Sequence, residues 1–165
     1  AGWSGSGKTT LCAKLIENFT KMGISIGTLK HAHQNFNIDK PGKDSYKLRK
    51  AGAQPMVISS KERFALIQEN GNEEKNLFEI LDIFSKNPVN KCELILIEGY
   101  KNEFIKKLEV FRSVNDKPFL YPNDRNIFAI ASEKKIQVPI PYYNINNIRG
   151  ICELLIKTSE KQLYR

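Results

Sequence analysis

The sequence predicts an α/β fold of three layers, in which helices cover both faces of a largely parallel sheet. Short runs of aliphatic and β-branched residues alternate along the chain with longer segments of helical periodicity, an order that is typical of parallel strands. The run from Leu94 to Ile97 is apolar at every position, as expected for a strand covered on both faces. The length of 165 residues fits one domain over 1–165, without repeats or low-complexity tracts.

Four segments are predicted to be helices. The first, third and fourth have apolar residues at helical spacing, and the first two run into a glycine, which is a common helix stop. The helical ranges are 10–22, 45–51, 73–85 and 145–162. Short segments rich in aliphatic and β-branched residues are predicted to be strands. The strand ranges are 24–30, 54–60, 63–69, 92–98, 107–112 and 126–132, and the stretch 138–141 is expected to end in a turn.

Composition narrows the function classes. The net charge is +8, but the basic residues are interspersed with acids and form no long run, so nucleic-acid binding is not expected. A basic surface also suits phosphorylated small molecules or an acidic protein partner. The longest strongly apolar run has four residues, far below the roughly 20 of a membrane helix, so no membrane contact is expected. Three widely spaced cysteines predict reduced thiols in a cytoplasmic protein.

The strongest motif is "AGWSGSGKTT" at residues 1–10, which matches the phosphate-binding loop pattern G-x-x-x-x-G-K-T in full. Its glycines let consecutive backbone N–H groups point at phosphate oxygens, and the helix that follows adds its positive N-terminal end. The lysine reaches the β- and γ-phosphates, the first threonine ligates Mg²⁺, and the second lies within reach of the α-phosphate. The predicted phosphate-binding residues are Gly2, Gly5, Ser6, Gly7, Lys8, Thr9 and Thr10. The fold class is therefore a P-loop NTPase.

A phosphate-binding loop normally follows a buried strand, but only Ala1 stands before this one. An unsupported terminus frays, so the loop needs a rigid partner on its N-terminal side. We expect that supporting strand to lie ahead of Ala1.

A second element should hold the metal from the end of a buried strand, and "LILIEGY" places Glu98 and Gly99 there. Glu98 can act on Mg²⁺ through a water or orient an attacking water, and Gly99 allows close approach to the γ-phosphate. Glutamate in place of the commoner aspartate leaves direct ligation open. The alternative is an acid that only caps the strand.

The polar stretch 31–45 follows the second predicted strand, where P-loop folds carry a switch loop. Asp44 is the first candidate for a water-mediated Mg²⁺ contact and Asp39 the second, and either one can instead be a solvated loop acid. We therefore predict Asp44 and Glu98 as the catalytic acids, with Thr9 as the third metal residue. His31 and His33 lack a third metal ligand nearby, so hydrogen bonding to phosphate or substrate is the favoured role.

Three stretches together resemble the MobB family of molybdopterin-guanine dinucleotide biosynthesis proteins: "GWSGSGKTTL", "KHAHQNFNIDKPGKDSYKLRKAGA" and "LILIEGYK". The second stretch is the most specific. The resemblance implies a GTP-binding protein that uses Mg²⁺ and has weak GTPase activity. It also implies a homodimer built partly through paired strands, and action beside the MobA nucleotidyltransferase that joins GMP to molybdopterin. Contact of molybdopterin with this chain is left open as a further partner. By position, the resemblance suggests that Lys101 and Arg112 bind an anionic ligand or a partner protein.

The residues themselves leave two questions open. The Asn-Lys-x-Asp guanine motif does not follow any predicted strand, so the guanine preference rests on the resemblance. Glu133, just after the strand 126–132, can accept hydrogen bonds from the guanine N1–H and N2–H₂ groups, or it can be a surface acid.

The alternative functions are a small-molecule kinase with the same loop and a non-catalytic adaptor that binds nucleotide. The strands "PMVIS" and "FALIQ" suit edge pairing with a second copy.

Overall fold

The computed structural model describes residues 1–32, 36–71, 73–86, 92–113 and 116–160. The chain divides into two compact units, the first made of Ala1–His31 and Leu81–Arg165 and the second of Ala32–Ile80. The prediction of one domain over 1–165 stays a prediction. No helix among the described residues has both the length and the apolar character needed to cross a membrane.

The described residues form four α-helices and seven strands, and every predicted helix and strand is present with shifted ends. The helices are α1 Lys8–Lys21, α2 Asp44–Lys50, α3 Leu77–Ser85 and α4 Ile148–Glu160. The strands are β1 Ile26–Lys30, β2 Met56–Ser59, β3 Phe64–Ile67, β4 Leu94–Glu98, β5 Lys107–Phe111, β6 Ile127–Ser132 and β7 Tyr142–Asn144.

Two helices begin three or four residues later than predicted, and side-chain caps explain both. Helix α3 begins four residues later than expected because Asn76 and Glu79 form a capping box: the Glu79 N–H donates to Asn76 Oδ1 at 3.0 Å, and the Asn76 N–H donates to Glu79 Oε2 at 2.8 Å. Helix α4 begins at Ile148 because Asn147 Oδ1 accepts the Gly150 N–H at 3.1 Å.

Strand β7 was not predicted at all. It is three residues long, too short for an alternating pattern to be recognised in the sequence. The pairing continues one residue further, because the Ile145 N–H donates to the Ser132 carbonyl at 3.0 Å. Ile145 therefore lies beside the sheet and not in the final helix, where the sequence had placed it.

The strands of the first unit are all parallel, as the apolar pattern predicted. Strand β1 pairs with β4, with Lys30 opposite Glu98 at their carboxyl ends. Strand β6 lies between β5 and β7 and pairs in parallel with both. The core of this unit forms where α1 meets α4 and the β5–β6 pair; its buried members are Leu11, Leu15, Phe19, Val110, Ala131, Ile145, Ile151 and Cys152. This packing fixes the start of α1 over the carboxyl ends of the strands.

The second unit contains α2 and an antiparallel hairpin of β2 and β3, with Val57 opposite Leu66. A buried ion pair ties it together, because Arg49 donates to both carboxylate oxygens of Asp39 at 2.9 and 3.1 Å. Arg49 also pairs with Glu69 at 2.5 Å, which links the helix to the end of the hairpin.

A cavity of about 590 Å³ lies between β4 and β5, and all five residues of β4 line it. Ala1 lies in this cavity wall and pairs with β5 as a parallel strand does: its α-amino group donates to the Leu108 carbonyl at 2.8 Å, and the Val110 N–H donates to the Ala1 carbonyl at 2.9 Å. The cavity leaves a gap between β4 and β5. The supporting strand expected ahead of Ala1 stays a prediction.

We expect a five-residue extension of valine and isoleucine joined ahead of Ala1 to enter the gap and pair with β4 and β5. It should raise the melting temperature by about 4 °C or more, which corresponds to roughly 1–2 kcal/mol for a chain of this size. A glycine–serine extension of equal length is the control, because it removes the same terminal charge without supplying apolar side chains. Equal melting temperatures for the two extended proteins, measured by circular dichroism, would refute this use of the gap.

Candidate functional site

The loop at residues 1–7 turns directly into α1, as the motif predicted. Gly7 is the N-cap of α1 with φ of 91°, and no side chain caps the helix. The first backbone N–H groups of a helix without a side-chain cap remain available as hydrogen-bond donors, and they lie at the positive end of the helix dipole. Gly2 packs tightly, since a Cβ there would lie 2.5 Å from the Val110 carbonyl oxygen. The loop is thereby pressed against β5 with its open donors at the end of the sheet.

Two side chains inside the loop fit an anion. The Lys8 ammonium folds back and donates to the Trp3 carbonyl at 2.8 Å, so its charge lies over the loop. The Ser6 hydroxyl is buried, with 1% of the residue exposed, and it has no hydrogen-bond partner within the described part of the chain. A buried polar atom left unpaired costs about 1–3 kcal/mol. A phosphate oxygen in the loop would remove that cost and also give Lys8 its counter-charge.

Thr9 and Glu98 meet across the loop, although 89 residues separate them in the sequence. The Thr9 hydroxyl donates to the Glu98 carboxylate, 2.9 Å from Oε1 and 3.0 Å from Oε2. Lys30 is placed beside them by the pairing of β1 with β4, with Nζ 4.0 Å from Glu98 Oε1. A hydroxyl and a carboxylate are oxygen ligands of the kind that Mg²⁺ accepts, together with waters and phosphate oxygens. The residues present therefore fit a Mg²⁺ ion that is held only partly by protein.

The backbone behind Glu98 has no spare room. Gly99 has φ of +107°, and a Cβ at this position would lie 2.6 Å from the His31 Cβ. His31 in turn donates its N–H to the Glu98 carbonyl at 2.8 Å and stacks on Tyr100 with ring centroids 4.5 Å apart. His31 therefore packs behind the acid. The second predicted histidine, His33, lies outside the described residues, and the described ranges contain no cluster of three or more metal-ligating His, Cys, Asp or Glu side chains.

The remaining predicted binding residues of the first unit lie at the rim of the loop. Lys101 places its ammonium 6.0 Å from the centre of the Trp3 ring, and Lys117 lies 5.9 Å from the same ring. Arg112 lies against Gly7 and pairs with Glu133 at 2.6 Å. Thr10 is exposed in the first turn of α1.

The two acids predicted in the polar stretch belong to the second unit and differ from each other. Asp39 is buried and both of its oxygens are taken by Arg49, whose hydrogen bonds and charge lower the pKa of the Asp39 carboxyl group. The structure thus gives Asp39 a structural role in place of the predicted metal contact. Asp44 is exposed at the start of α2, 3.6 Å from Lys47. Its assignment to the metal stays a prediction.

The family model described as MobB, molybdopterin guanine dinucleotide synthesis protein B, matches residues 1–133. The chain belongs to the MobB family. It is 39% identical over 163 residues to the molybdopterin-guanine dinucleotide biosynthesis adapter protein of Escherichia coli (strain K12), covering 98% of this chain and 92% of that protein. The adapter protein of the same description from Haemophilus influenzae is 32% identical over 154 residues, covering 93% and 84%. The predicted resemblance is confirmed.

Solved structures of MobB proteins share the fold. The Bacillus subtilis MobB structure superposes with a TM-score of 0.72 at 21% identity, covering 94% of this chain and 93% of that chain. The MobB homolog from Bacillus stearothermophilus gives 0.67 at 21% identity, covering 97% and 94%. Together with the parallel strands and the loop before α1, these likenesses confirm the predicted α/β P-loop NTPase fold.

Sequence reasoning missed Trp3 and Lys30 as parts of this MobB site. Trp3 supplies the carbonyl that holds Lys8, and its indole N–H donates to the Pro118 carbonyl at 2.7 Å. Lys30 ends β1 as Glu98 ends β4, so the alignment of parallel strand ends was the available signal. The indole contact had no signal, because it spans 115 residues of sequence.

We expect Gly99→Ala to destabilise the protein more than Gly52→Ala. Both glycines have nearly the same positive φ, +107° and +108°, but a Cβ at Gly52 meets nothing within 4 Å. The backbone strain of about 1–3 kcal/mol is common to both substitutions, and only Gly99→Ala adds the collision with His31. Urea unfolding of the two variants measures the difference. Equal losses would contradict the close approach at Gly99.

Proposed function

We propose that this chain is an adapter in molybdopterin-guanine dinucleotide biosynthesis that binds Mg²⁺ and GTP. The observation that carries the nucleotide site is the contact of the Thr9 hydroxyl with Glu98, next to a loop whose lysine and buried serine have only main-chain or no partners. The adapter role is supported by the family and by the names of the relatives that cover almost the whole chain. Its place in the cytoplasm is part of the proposal.

In this proposal the loop residues bind the polyphosphate. Lys8 turns from the Trp3 carbonyl to the β- and γ-phosphates, and the N–H groups of Gly5 and Gly7 donate to phosphate oxygens. Thr10 contacts the α-phosphate. Thr9 binds Mg²⁺ directly, while Glu98 and Asp44 act on the metal or on its waters. Bound Mg²⁺ neutralises phosphate charge, and the protein residues hold the phosphates and orient the water.

We propose that hydrolysis, where it occurs, is slow. P-loop GTPases without an arginine finger supplied by a partner turn over at roughly 10⁻⁴ to 10⁻² per second. An adapter needs a long-lived nucleotide complex rather than rapid turnover, so slow hydrolysis agrees with the role.

The partner in this proposal is a MobA-type nucleotidyltransferase. The segment that follows Glu98 supports coupling between nucleotide and partner, because Lys101 lies at the loop rim and Phe104, three residues on, is 92% exposed. In this proposal, a bound nucleotide moves Lys101, and the exposed ring of Phe104 moves with it. Contact with molybdopterin stays a prediction.

We expect Lys8→Ala to weaken GTP binding in the presence of Mg²⁺ about ten- to a hundredfold, because a charge-assisted phosphate contact contributes roughly 1.5–3 kcal/mol. Isothermal titration with and without Mg²⁺ measures the change. Lys14→Ala, an exposed position on the same helix, is the matched control and should bind as the wild type does.

Wild-type protein that binds no GTP with Mg²⁺, or that prefers ATP, would refute the nucleotide proposal. The same variants serve for the partner: the purified nucleotidyltransferase should bind the wild type and Lys14→Ala more tightly with GTP than with GDP, and this difference should vanish in Lys8→Ala. Equal partner affinity with GTP and GDP, in the wild type and in Lys8→Ala alike, would show that the adapter role does not depend on nucleotide binding by the loop.

We further propose that the chain forms a homodimer through the hairpin of β2 and β3. Its register places Val57, Phe64 and Leu66 on one face, and these side chains are 47%, 69% and 51% exposed. Neighbouring apolar side chains left exposed on a hairpin are typical of a protein interface. The opposite face carries Met56, Ala65 and Ile67, which are half-buried, and Ile58, which is 38% exposed. The face of Val57 is therefore the more open one, and we assign it to the second copy.

We expect Leu66→Glu to convert the dimer into a monomer, because a carboxylate at the centre of the paired face would have to be buried without a partner. Light scattering at micromolar concentration measures the mass. Phe104→Ser, which removes an exposed aromatic ring elsewhere, should stay dimeric. A wild-type monomer, or a dimer that survives Leu66→Glu, would contradict the hairpin interface.

A further inference from the structure

Arg112 and Glu133 are neighbours at the end of the sheet next to the loop. Phe111 pairs with Ser132 in the parallel register of β5 and β6, and Arg112 and Glu133 are the next residue of each strand. By alternation they share the sheet face of Val110 and Ala131, which pack on α1. The carboxyl ends of parallel strands are where open α/β sheets bind their ligands.

The arginine side chain is held in a defined orientation by two contacts. Arg112 Nη2 lies 2.6 Å from Glu133 Oε1. A Cβ built on Gly7 would lie 3.4 Å from both Cζ and Nη2 and 3.5 Å from Nε. Three nearly equal distances mean that the flat face of the guanidinium, and not its edge, lies against Gly7. Its N–H donors therefore point along the edges, away from Gly7.

One of those donors has nothing to bind. Arg112 Nε is buried and has no hydrogen-bond partner among the residues that the structure describes. Glu133 is 53% exposed, and a carboxylate oxygen can accept more than one hydrogen bond. The Arg112 side chain as a whole is 33% exposed, so the pair presents guanidinium N–H donors beside an acceptor with spare capacity, at the mouth of the phosphate-binding loop.

The position of the pair separates it from the metal. Glu98 and Lys30 end β4 and β1, whereas Arg112 and Glu133 directly follow β5 and β6. Ala1 pairs with β5, and the cavity lies between that pairing and β4. The γ-phosphate and Mg²⁺ belong to the Glu98 side, so the nucleoside end of a nucleotide in this loop extends towards the β5–β6 side.

We propose that Arg112 and Glu133 together read the guanine base of the nucleotide; this rests on the proposed nucleotide site. The Glu133 carboxylate accepts the guanine N1–H and N2–H₂ groups, and Arg112 donates to O6. Adenine has an amino donor in place of O6 and an acceptor in place of N1–H. It would therefore place a donor opposite the Arg112 donors and an acceptor opposite the Glu133 carboxylate. The pair is therefore the specificity-determining element that stands in for the missing Asn-Lys-x-Asp motif.

The test compares the Mg²⁺ complexes of GTP, ITP, XTP and ATP by titration. In the wild type, ITP, which lacks the 2-amino group, should bind roughly tenfold more weakly than GTP, and ATP more weakly still. Glu133→Gln should weaken GTP and strengthen XTP, each by roughly tenfold or more, because the glutamine amide donates to the C2 carbonyl of xanthine. Arg112→Ala should narrow the ratio of GTP to ATP affinity.

The matched control is Glu153→Gln, which removes the acid of an exposed Arg–Glu pair on α4, 3.0 Å apart, and should leave all four affinities unchanged. Loss of affinity for all four nucleotides alike in Glu133→Gln would overturn the proposal and leave the pair with a purely structural role. The wild-type ratio of ITP to GTP tests the proposal without any substitution, so a variant that fails to fold does not block the test. Wild type that binds GTP and ATP equally, with both affinities lost in Lys8→Ala, would refute base recognition but support the nucleotide site. Wild type that binds neither nucleotide would refute the nucleotide site itself.

Discussion

The hydrogen bond from the Thr9 hydroxyl to the Glu98 carboxylate is the contact on which the organisation of the site depends. It joins the first turn of α1 to the end of β4, two elements that share no local sequence. Around it, Lys30 lies beside the acid, while the Lys8 ammonium over the loop contacts a carbonyl and not an acid, which leaves the site positive. An acid, a hydroxyl and two lysines at one sheet edge suit an anion with its metal, because the buried Ser6 hydroxyl has no partner among the described residues and Lys8 has only a carbonyl.

Support for that contact comes from the packing beneath it. Helix α1 is fixed by Leu11, Leu15 and Phe19 in a fully apolar core, and its start is pressed against β5 through Gly2. On the other side, the close approach of Gly99 to His31 leaves no free space behind the backbone of Glu98. Burial raises the pKa of the Cys152 thiol to about 11, so this core cysteine stays a neutral packing group. The site is rigid on the side of the acid and open on the side of the rim lysines.

The second unit is organised around one buried ion pair. Arg49 holds Asp39 and Glu69 at once, so it connects the loop, α2 and the hairpin of that unit. The sequence ranked Asp44 ahead of Asp39 as a metal contact but did not indicate their burial: Asp39 is buried in an ion pair and Asp44 is exposed. What distinguishes them is the position of Arg49, a residue that sequence spacing alone gave no reason to pair with either.

The sequence by itself determined the class of fold, the loop with its lysine, the acid at the end of β4 and the family, because each depends on a local pattern of residue types. It also contained the capping box of Asn76 and Glu79, which sequence reasoning overlooked. Only the tertiary structure decided that Glu98 contacts Thr9, that Arg112 lies flat against Gly7, and that β7 joins the sheet. These contacts join positions far apart in the chain, and their geometry is set by strand register and helix packing, which no short stretch of sequence encodes.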